Sequence, residues 1–180
     1  RYGSGNVGAS NLWRSTSRRL ALSVVIFDLG KGASMVWAAQ LVGLGVAQQV
    51  TVGLAAIIGH NWPVFLRFVG GRGILTSLGV ILIFSPVIGA IALVLAYLFA
   101  PFRQLALGVF IVLVSLPILS WFLGQPLGIE ERLPITLDFL AITLIALFKR
   151  LVAPRTSVTT SVASGQLLLN RLFFDRDIRD

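Results

Sequence analysis

The sequence has no cysteine, one histidine and one methionine, and only 12% of its 180 residues are charged. The absence of cysteine excludes disulfides and thiolate metal sites. A single histidine argues against a metal site built from several imidazoles. We therefore expect neither a metal ion nor another cofactor.

Apolar residues are abundant instead: they make up 56% of the chain and give a mean hydropathy of +0.90. A soluble domain of this length cannot bury that much apolar surface, so the composition indicates an integral membrane protein. The net charge of +8 would suggest nucleic-acid binding in a soluble protein. Here the cations cluster at the ends of apolar runs, which favours membrane orientation and an anionic ligand, and no nucleic acid is expected as a partner.

Six apolar runs predict an all-α, polytopic integral membrane helix bundle with about six transmembrane helices. The runs cover 20–44, 46–58, 74–84, 87–100, 105–123 and 135–148. Four of them are shorter than the roughly 20 residues that cross a bilayer, and 74–100 could instead form one tilted span kinked at Pro86. We expect a single domain over 1–180, with membrane helices in 20–148 and a cytoplasmic tail in 149–180.

The positive charges favour six spans over five. With six spans, one side of the membrane receives Arg14, Arg18, Arg19, Arg67, Arg72, Arg103, Lys149, Arg150 and Arg155. The other side receives only Arg132, beside Glu130 and Glu131. The positive-inside rule then places the basic loops and the C-terminus in the cytoplasm.

The end of the tail, 167–180, predicts a short amphipathic helix. The apolar face comprises Leu168, Leu169, Leu172 and Phe173. Opposite charges at i and i+4 predict ion pairs between Arg171 and Asp175 and between Arg176 and Asp180.

The loop 59–73 reads Gly-His-Asn-Trp-Pro-Val-Phe-Leu-Arg-Phe-Val-Gly-Gly-Arg-Gly and has the composition of a phosphate-binding turn. Glycines let backbone N–H groups approach an anion, arginine supplies fixed charge, and a helix predicted from Ile74 turns its positive end toward the loop. Thr76 adds a hydroxyl. The alternatives are that Arg72 only contacts lipid headgroups and that His60 only caps a helix.

Three further polar features of the sequence need an interpretation. Residues 3–8 fit G-x-G-x-x-G without the βαβ unit of a dinucleotide site, so they form either a donor-rich turn or a flexible leader. Asp28 and Lys31 lie inside the first run and mark either function or an internal ion pair. Asp138 lies near a span end, where we expect it to reach the headgroups.

Three stretches together resemble the PlsY family, the integral membrane acyl-phosphate:glycerol-3-phosphate acyltransferases of bacteria. The first, Gly3-Ser-Gly-Asn-Val-Gly-Ala-Ser-Asn-Leu-Trp-Arg, is similar to a family pattern of roughly GSGNxGATNxxR, with Ser10 in place of threonine. The second, Asp28-Leu-Gly-Lys-Gly, is similar to DxxKG. The third, 59–76, is similar to roughly GHxxPxFLxFKGGKGVAT.

Several departures accompany the resemblance. In the third stretch Val69 and Arg72 replace lysines and Leu75 replaces alanine. The family has a further membrane helix before its first motif, and because the chain begins with Arg1 we expect a fragment that lacks this helix. The family's C-terminal motif, roughly RHxxNIxR, has no histidine-bearing counterpart at 148–153; Asn170-Arg171-Leu172 resembles part of it at a displaced position, without a firm alignment.

The resemblance implies transfer of a fatty acyl group from acyl phosphate to the 1-hydroxyl of glycerol 3-phosphate, which gives lysophosphatidic acid and phosphate for phospholipid biosynthesis. It implies the bacterial inner membrane as location and membrane lipids as further partners. The implied catalytic residues are Ser4, Arg14, His60 and Arg72. The implied substrate-binding residues are Gly5, Asn6, Gly8, Asn11, Lys31, Gly70, Gly71, Gly73 and Thr76.

Two other functions fit the same residues. One is a PlsY-like protein that binds acyl phosphate or lipid without catalysis. The other is a transporter of small organic anions, although we find neither the inverted repeats nor the midplane site typical of that class. The oligomeric state is left open.

Overall fold

A computed structural model describes residues 12, 17–129, 131–152 and 162–177, and in these ranges the regular structure is helical throughout, with no strand. The helices are α1 (Arg18–Leu41), α2 (Val46–Asn61), α3 (Ile74–Phe84), α4 (Pro86–Tyr97), α5 (Leu105–Leu123), α6 (Arg132–Leu151) and α7 (Ser164–Leu169). A short 3₁₀ turn covers Val64–Leu66, and α7 continues as a π-helical turn over Asn170–Phe174. Each of the six predicted apolar runs forms a helix.

A break at Ser85 separates α3 from α4, so the alternative of one kinked helix over 74–100 is wrong. Ser85 has an extended backbone (φ −151°, ψ 94°), and Pro86 opens α4, where a missing N–H costs nothing. The Ser85 hydroxyl accepts a hydrogen bond from the N–H of Ile88 at 3.4 Å. Beyond the break, Gly89 packs directly on Leu82, and α4 therefore folds back along α3.

Helices α1 to α6 alternate in direction, and their ends form two clusters. At one end, Lys149 at the end of α6 donates to the carbonyl of Asn61 at the end of α2, and Arg150 donates at 3.3 Å to the carbonyl of Ala106 at the beginning of α5. We call this the basic end. The connections α1–α2, α3–α4 and α5–α6 lie at the opposite end. One cavity there is lined by residues of all three, among them Val46, Ser85 and Gly128.

Helix α1 packs closely against α3 because glycines lie at the contact. A Cβ on Gly32 would overlap the carbonyl of Thr76, and a Cβ on Gly79 would overlap the carbonyl of Leu29. Small residues of this kind allow close packing of helices in a membrane. The core around this contact includes Val36, Ile57, Val80, Ile88, Leu116, Phe139 and Ile142.

The outer surface of the bundle is apolar, as expected for a surface that faces lipid. Phe27 on α1 is 71% exposed and Phe122 on α5 is 72% exposed. Of the described helices, α1 and α5 are long and apolar enough by themselves to cross a bilayer. The others are shorter, or, like α6, carry several charged residues.

Helix α5 contains Pro117, whose missing N–H leaves the carbonyl of Leu113 without its helical donor. The hydroxyl of Thr143 on α6 lies 2.6 Å from that carbonyl and 2.9 Å from the carbonyl of Phe139 in its own helix, and the shorter contact replaces the lost bond. About two turns further along, the hydroxyls of Ser120 and Thr136 meet at 2.9 Å. Polar side chains thus join α5 to α6 inside an otherwise apolar interface.

The tail helix differs from its prediction. It begins at Ser164 rather than Leu167, and its buried residues are Leu167, Asn170 and Arg171, whereas Leu168 and Leu169 are half exposed. Arg171 bonds Asp177 at 2.7 Å, and Asp175 lies against Arg72 and Arg150 instead. Polar side chains of this helix therefore pack inward beside Leu167, and they fix it to α6 and the basic end.

Candidate active site

Asp28, Lys31 and His60 form a polar cluster between α1 and α2. Lys31 Nζ lies 2.7 Å from Asp28 Oδ1 and within hydrogen-bonding distance of His60 Nδ1, and Asp28 Oδ1 lies 3.5 Å from the same ring nitrogen. Helix α1 has 24 residues and α2 has 16. The first part of α1 therefore extends beyond the end of α2, which brings the cluster to the basic end of the bundle rather than to its middle.

The hydrogen bonds of His60 determine which ring nitrogen carries the proton. The ammonium of Lys31 has only donors, so Nδ1 must accept, and in the neutral ring the proton then lies on Nε2. Nε2 lies against Gly71, where a Cβ would overlap it. The only histidine of the chain therefore directs an N–H donor toward the glycine turn.

The glycine turn needs its glycines for space and for backbone conformation. A Cβ on Gly70 would overlap the carbonyls of His60 and Asn61, and Gly73, which precedes α3, has a left-handed backbone with φ +73°. Because these residues have no side chains, the turn lies in close contact with the end of α2. The backbone of the turn also leads directly into the N-terminus of α3, which is the positive end of that helix dipole.

Asn61 and Thr76 are fully buried polar residues on either side of Gly73. Both are 0% exposed, and neither the amide of Asn61 nor the hydroxyl of Thr76 has a hydrogen-bond partner among the described residues. The Asn61 amide lies directly over Gly73. Buried polar groups are normally paired, so this part of the site has donors and acceptors available to a ligand.

Arg72 bonds the carboxylate of Asp175, which comes from the tail. The second oxygen of that carboxylate lies 3.9 Å from Nε of Arg150, a guanidinium that is only 2% exposed. Burial raises the pKa of Asp175, and the cations of Arg72 and Arg150 oppose that rise. Two guanidiniums therefore share one carboxylate, which leaves an excess of positive charge beside the glycine turn.

The structure brings together every predicted site residue that it describes. Lys31, His60, Gly70, Gly71, Arg72, Gly73 and Thr76 all lie at the basic end. The remaining predicted residues, Ser4, Gly5, Asn6, Gly8, Asn11 and Arg14, lie outside the described residues. Of the two predicted turns, the structure therefore describes the one within 59–73.

A family model described as glycerol-3-phosphate acyltransferase matches residues 1–155. The chain belongs to the glycerol-3-phosphate acyltransferase family. The predicted resemblance to PlsY is therefore confirmed, and with it the acylation of glycerol 3-phosphate in phospholipid synthesis.

Curated relatives include two proteins of Dehalococcoides mccartyi, glycerol-3-phosphate acyltransferases 5 and 4. They are 49% and 47% identical to this chain over 179 residues, which is 99% of this chain and 77% of each relative. A glycerol-3-phosphate acyltransferase of Syntrophotalea carbinolica is 42% identical over 139 residues, 75% of this chain and 70% of that protein. The similarity therefore extends over nearly the whole chain.

Two solved structures of PlsY, an integral membrane glycerol 3-phosphate acyltransferase, have the same fold. The match to the glycerol 3-phosphate form covers 99% of this chain and 80% of the solved chain, with a TM-score of 0.74 at 25% identity. The match to the lysophosphatidic acid form covers 82% of this chain and 74% of the solved chain, with a TM-score of 0.70 at 27% identity. The chain is accordingly an all-helical integral membrane enzyme.

The PlsY motifs did not draw attention to four residues of the site. Asn61 occupies a variable position of the loop pattern, and in the sequence Lys149 and Arg150 stand out only as charges at a span end. The spacing in the sequence pairs Asp175 with Arg171 in its own helix. Asp138 was expected to reach the headgroups, but it is 0% exposed, and its carboxylate has no hydrogen-bond partner among the described residues.

Proposed function

We propose that the chain transfers the acyl group of an acyl phosphate to the 1-hydroxyl of glycerol 3-phosphate at the basic end of the bundle. The main support is the turn from Gly70 to Gly73, which meets the beginning of α3. Its amides, the Arg72 guanidinium and the unpartnered side chains of Asn61 and Thr76 make a donor-rich site. Such a site suits a phosphate, and both substrates carry one.

The proposed reaction requires positioning and charge more than a protein nucleophile. The 1-hydroxyl oxygen attacks the acyl carbonyl carbon, the bond from that carbon to the phosphate oxygen breaks, and inorganic phosphate leaves. The hydroxyl proton goes to a phosphate oxygen, so no covalent intermediate with the protein is needed. Donors that bind the leaving phosphate stabilise the charge that develops there.

The proposed roles follow the positions of the side chains. Arg72 binds a substrate phosphate, His60 holds the glycine turn or a substrate oxygen through its Nε2–H, and Lys31 adds charge. The resemblance supplies the roles at the N-terminal turn. There Ser4, Gly5, Asn6 and Gly8 shape a second phosphate site, and Asn11 and Arg14 orient glycerol 3-phosphate.

We also propose that α1 to α6 each cross the bilayer, with the basic end in the cytoplasm. The alternation of the helices supports this topology. So does the charge distribution, because Arg72, Arg103, Lys149 and Arg150 lie at one end and Arg132 at the other. The acyl chain then lies between helices while its phosphate stays at the aqueous edge.

The test is release of phosphate from palmitoyl phosphate, dependent on glycerol 3-phosphate, in detergent. Arg72→Ala is expected to lower turnover at least about a hundredfold, the typical loss when one charge-stabilising donor is removed. Arg72→Lys should keep much of the activity because the charge remains. Arg103→Ala is the matched control, since Arg103 lies exposed at the same end.

Three results would contradict the proposal. Normal turnover in Arg72→Ala would remove Arg72 from the site. Acyl-phosphate binding without turnover in the wild type would indicate the non-catalytic binding protein. Uptake of glycerol 3-phosphate into vesicles without formation of lysophosphatidate would indicate the transporter.

A further inference from the structure

The carboxylate of Asp175 occupies the guanidinium that the proposed function assigns to a substrate phosphate. Oδ2 of Asp175 bonds Nη1 of Arg72. Carboxylates and phosphates bind the same planar set of arginine donors, so one excludes the other from a given edge. Arg72 is therefore bound to an anion of the chain itself.

The other oxygen of Asp175 has a second guanidinium within short reach. Oδ1 and Nε of Arg150 are both buried, neither has a hydrogen-bond partner among the described residues, and they lie 3.9 Å apart. Arg150 is held in place because its terminal nitrogens donate to the carbonyls of Leu172 at 2.8 Å and Ala106 at 3.3 Å. A shift of about 1 Å would complete a hydrogen bond of ordinary length between the two groups.

Asp175 ends the π-helical turn with a left-handed backbone, φ +57°, a conformation that glycine adopts most readily and that aspartate adopts more often than most other residues. Its surroundings hold it there. Arg171 bonds Asp177 at 2.7 Å and the carbonyl of Leu151 at 3.0 Å, and Phe173 packs edge-on against Phe110 with ring centroids 4.8 Å apart. These contacts fix the position of the Asp175 carboxylate beside the two guanidiniums.

We propose that Asp175 is an internal competitor that sets the affinity of the site for its phosphate substrate. The incoming phosphate replaces the carboxylate on Arg72, and the carboxylate moves onto Nε of Arg150. Because two guanidiniums face one carboxylate, the site keeps a net positive charge that attracts the substrate in either arrangement. This inference rests on the proposed function, which assigns Arg72 to a substrate phosphate.

The test compares two variants of Asp175 in the acylation assay. Asp175→Asn keeps the shape and removes the charge. Asp175→Gly removes the side chain and suits the left-handed backbone, and the thermal unfolding midpoint of both variants is measured beside the kinetics. The KM is measured separately for glycerol 3-phosphate and for palmitoyl phosphate. In both variants the KM of the substrate whose phosphate binds Arg72 is expected to fall about tenfold, with kcat changed by less, because one charge-assisted hydrogen bond no longer has to be displaced.

Asp177→Asn is the matched control, because this carboxylate lies two residues away and bonds Arg171 rather than Arg72. Its KM should stay near that of the wild type. An equal fall in KM in Asp177→Asn would mean that loosening the tail causes the effect, and the proposal would be wrong. A KM that is unchanged or higher in both Asp175 variants would also overturn it, since Asp175 would then orient Arg72 rather than compete for it.

The same assay separates this inference from the function on which it rests. A wild-type chain that forms no lysophosphatidate contradicts the proposed function. A wild-type chain that is active, loses activity in Arg72→Ala and shows no fall in KM in the Asp175 variants contradicts only the role of Asp175.

Discussion

Lys31 donates to Nδ1 of His60 across the contact between α1 and α2, and this bond directs Nε2–H of the histidine toward Gly71. Two motifs that are separate in the sequence, Asp28-Leu-Gly-Lys-Gly and the glycine loop, therefore meet through one imidazole. The donor that results is fixed by the protein before any substrate arrives, as expected of a group that positions a turn or stabilises charge.

Removal of the imidazole is expected to impair catalysis without unfolding the bundle. A hydrogen bond to a charged group contributes about 1.5–3 kcal/mol, so His60→Ala should lower kcat/KM by about ten- to a hundredfold. His60→Gln should recover part of the loss because its amide nitrogen reaches toward the position of Nε2. Initial rates in detergent measure the effect, and His60→Ala with wild-type rates would show that the histidine is only a helix cap.

Asn61→Leu is expected to separate stability from activity. Leucine has a similar volume, and the buried amide of Asn61 has no partner among the described residues, so the substitution should leave the unfolding midpoint unchanged or raise it. If the amide binds substrate phosphate, KM should rise by about tenfold, the equivalent of roughly 1.4 kcal/mol. Loss of stability together with unchanged KM would assign Asn61 to the fold.

Gly32→Ala tests the contact between α1 and α3. Its Cβ would overlap the carbonyl of Thr76, in the first turn of α3, and overpacking of this kind costs about 1–3 kcal/mol. We expect a lower thermal unfolding midpoint in detergent and reduced turnover, because Thr76 belongs to the site. Gly30→Ala is the matched control on the same helix, since a Cβ there has no heavy atom within 4 Å. Equal midpoints for the two variants would contradict the close packing.

Thr143→Val tests the bond that replaces the donor missing at Pro117. It leaves the carbonyl of Leu113 buried and unpaired, which costs about 1–3 kcal/mol. Pro117→Ala restores the N–H within α5, so the cost of Thr143→Val should largely disappear in that background. Thr51→Val, at an exposed threonine that bonds Ala47 within its own helix, should have little effect. Additive losses in the double variant would show that Thr143 acts in another way.

The helices could be predicted closely because their signals are local. Gly73 precedes α3 and Pro86 follows it, and the apolar run between them begins and ends where the helix does. The glycine turn was also predictable, since glycine and arginine at that spacing have a direct physical use. The described residues of the family motifs lie together around the end of α2.

The pairing of Arg72 with Asp175 could not be predicted in this way. The two residues are 103 positions apart, and Asp175 had a nearer apparent partner in Arg171. The position of Asp28 and Lys31 along the bundle axis depends on the difference in length between α1 and α2. The residue types at positions 28 and 31 do not indicate that difference. Asp138 likewise appeared close to a span end, but α6 begins at Arg132, six residues earlier than Asp138, and the carboxylate is buried.

The shortness of α3 and α4 has a consequence for the surrounding lipid. With 11 and 12 residues, they are only about 17 and 18 Å long at roughly 1.5 Å per residue, against about 30 Å of hydrocarbon. If α3 and α4 each cross the bilayer, as proposed above, the acyl tails beside this hairpin must compress or tilt to cover it. Bilayers of short-chain phospholipids should therefore suit the enzyme better than thick, sterol-rich ones, and the composition of the host membrane becomes a determinant of its turnover.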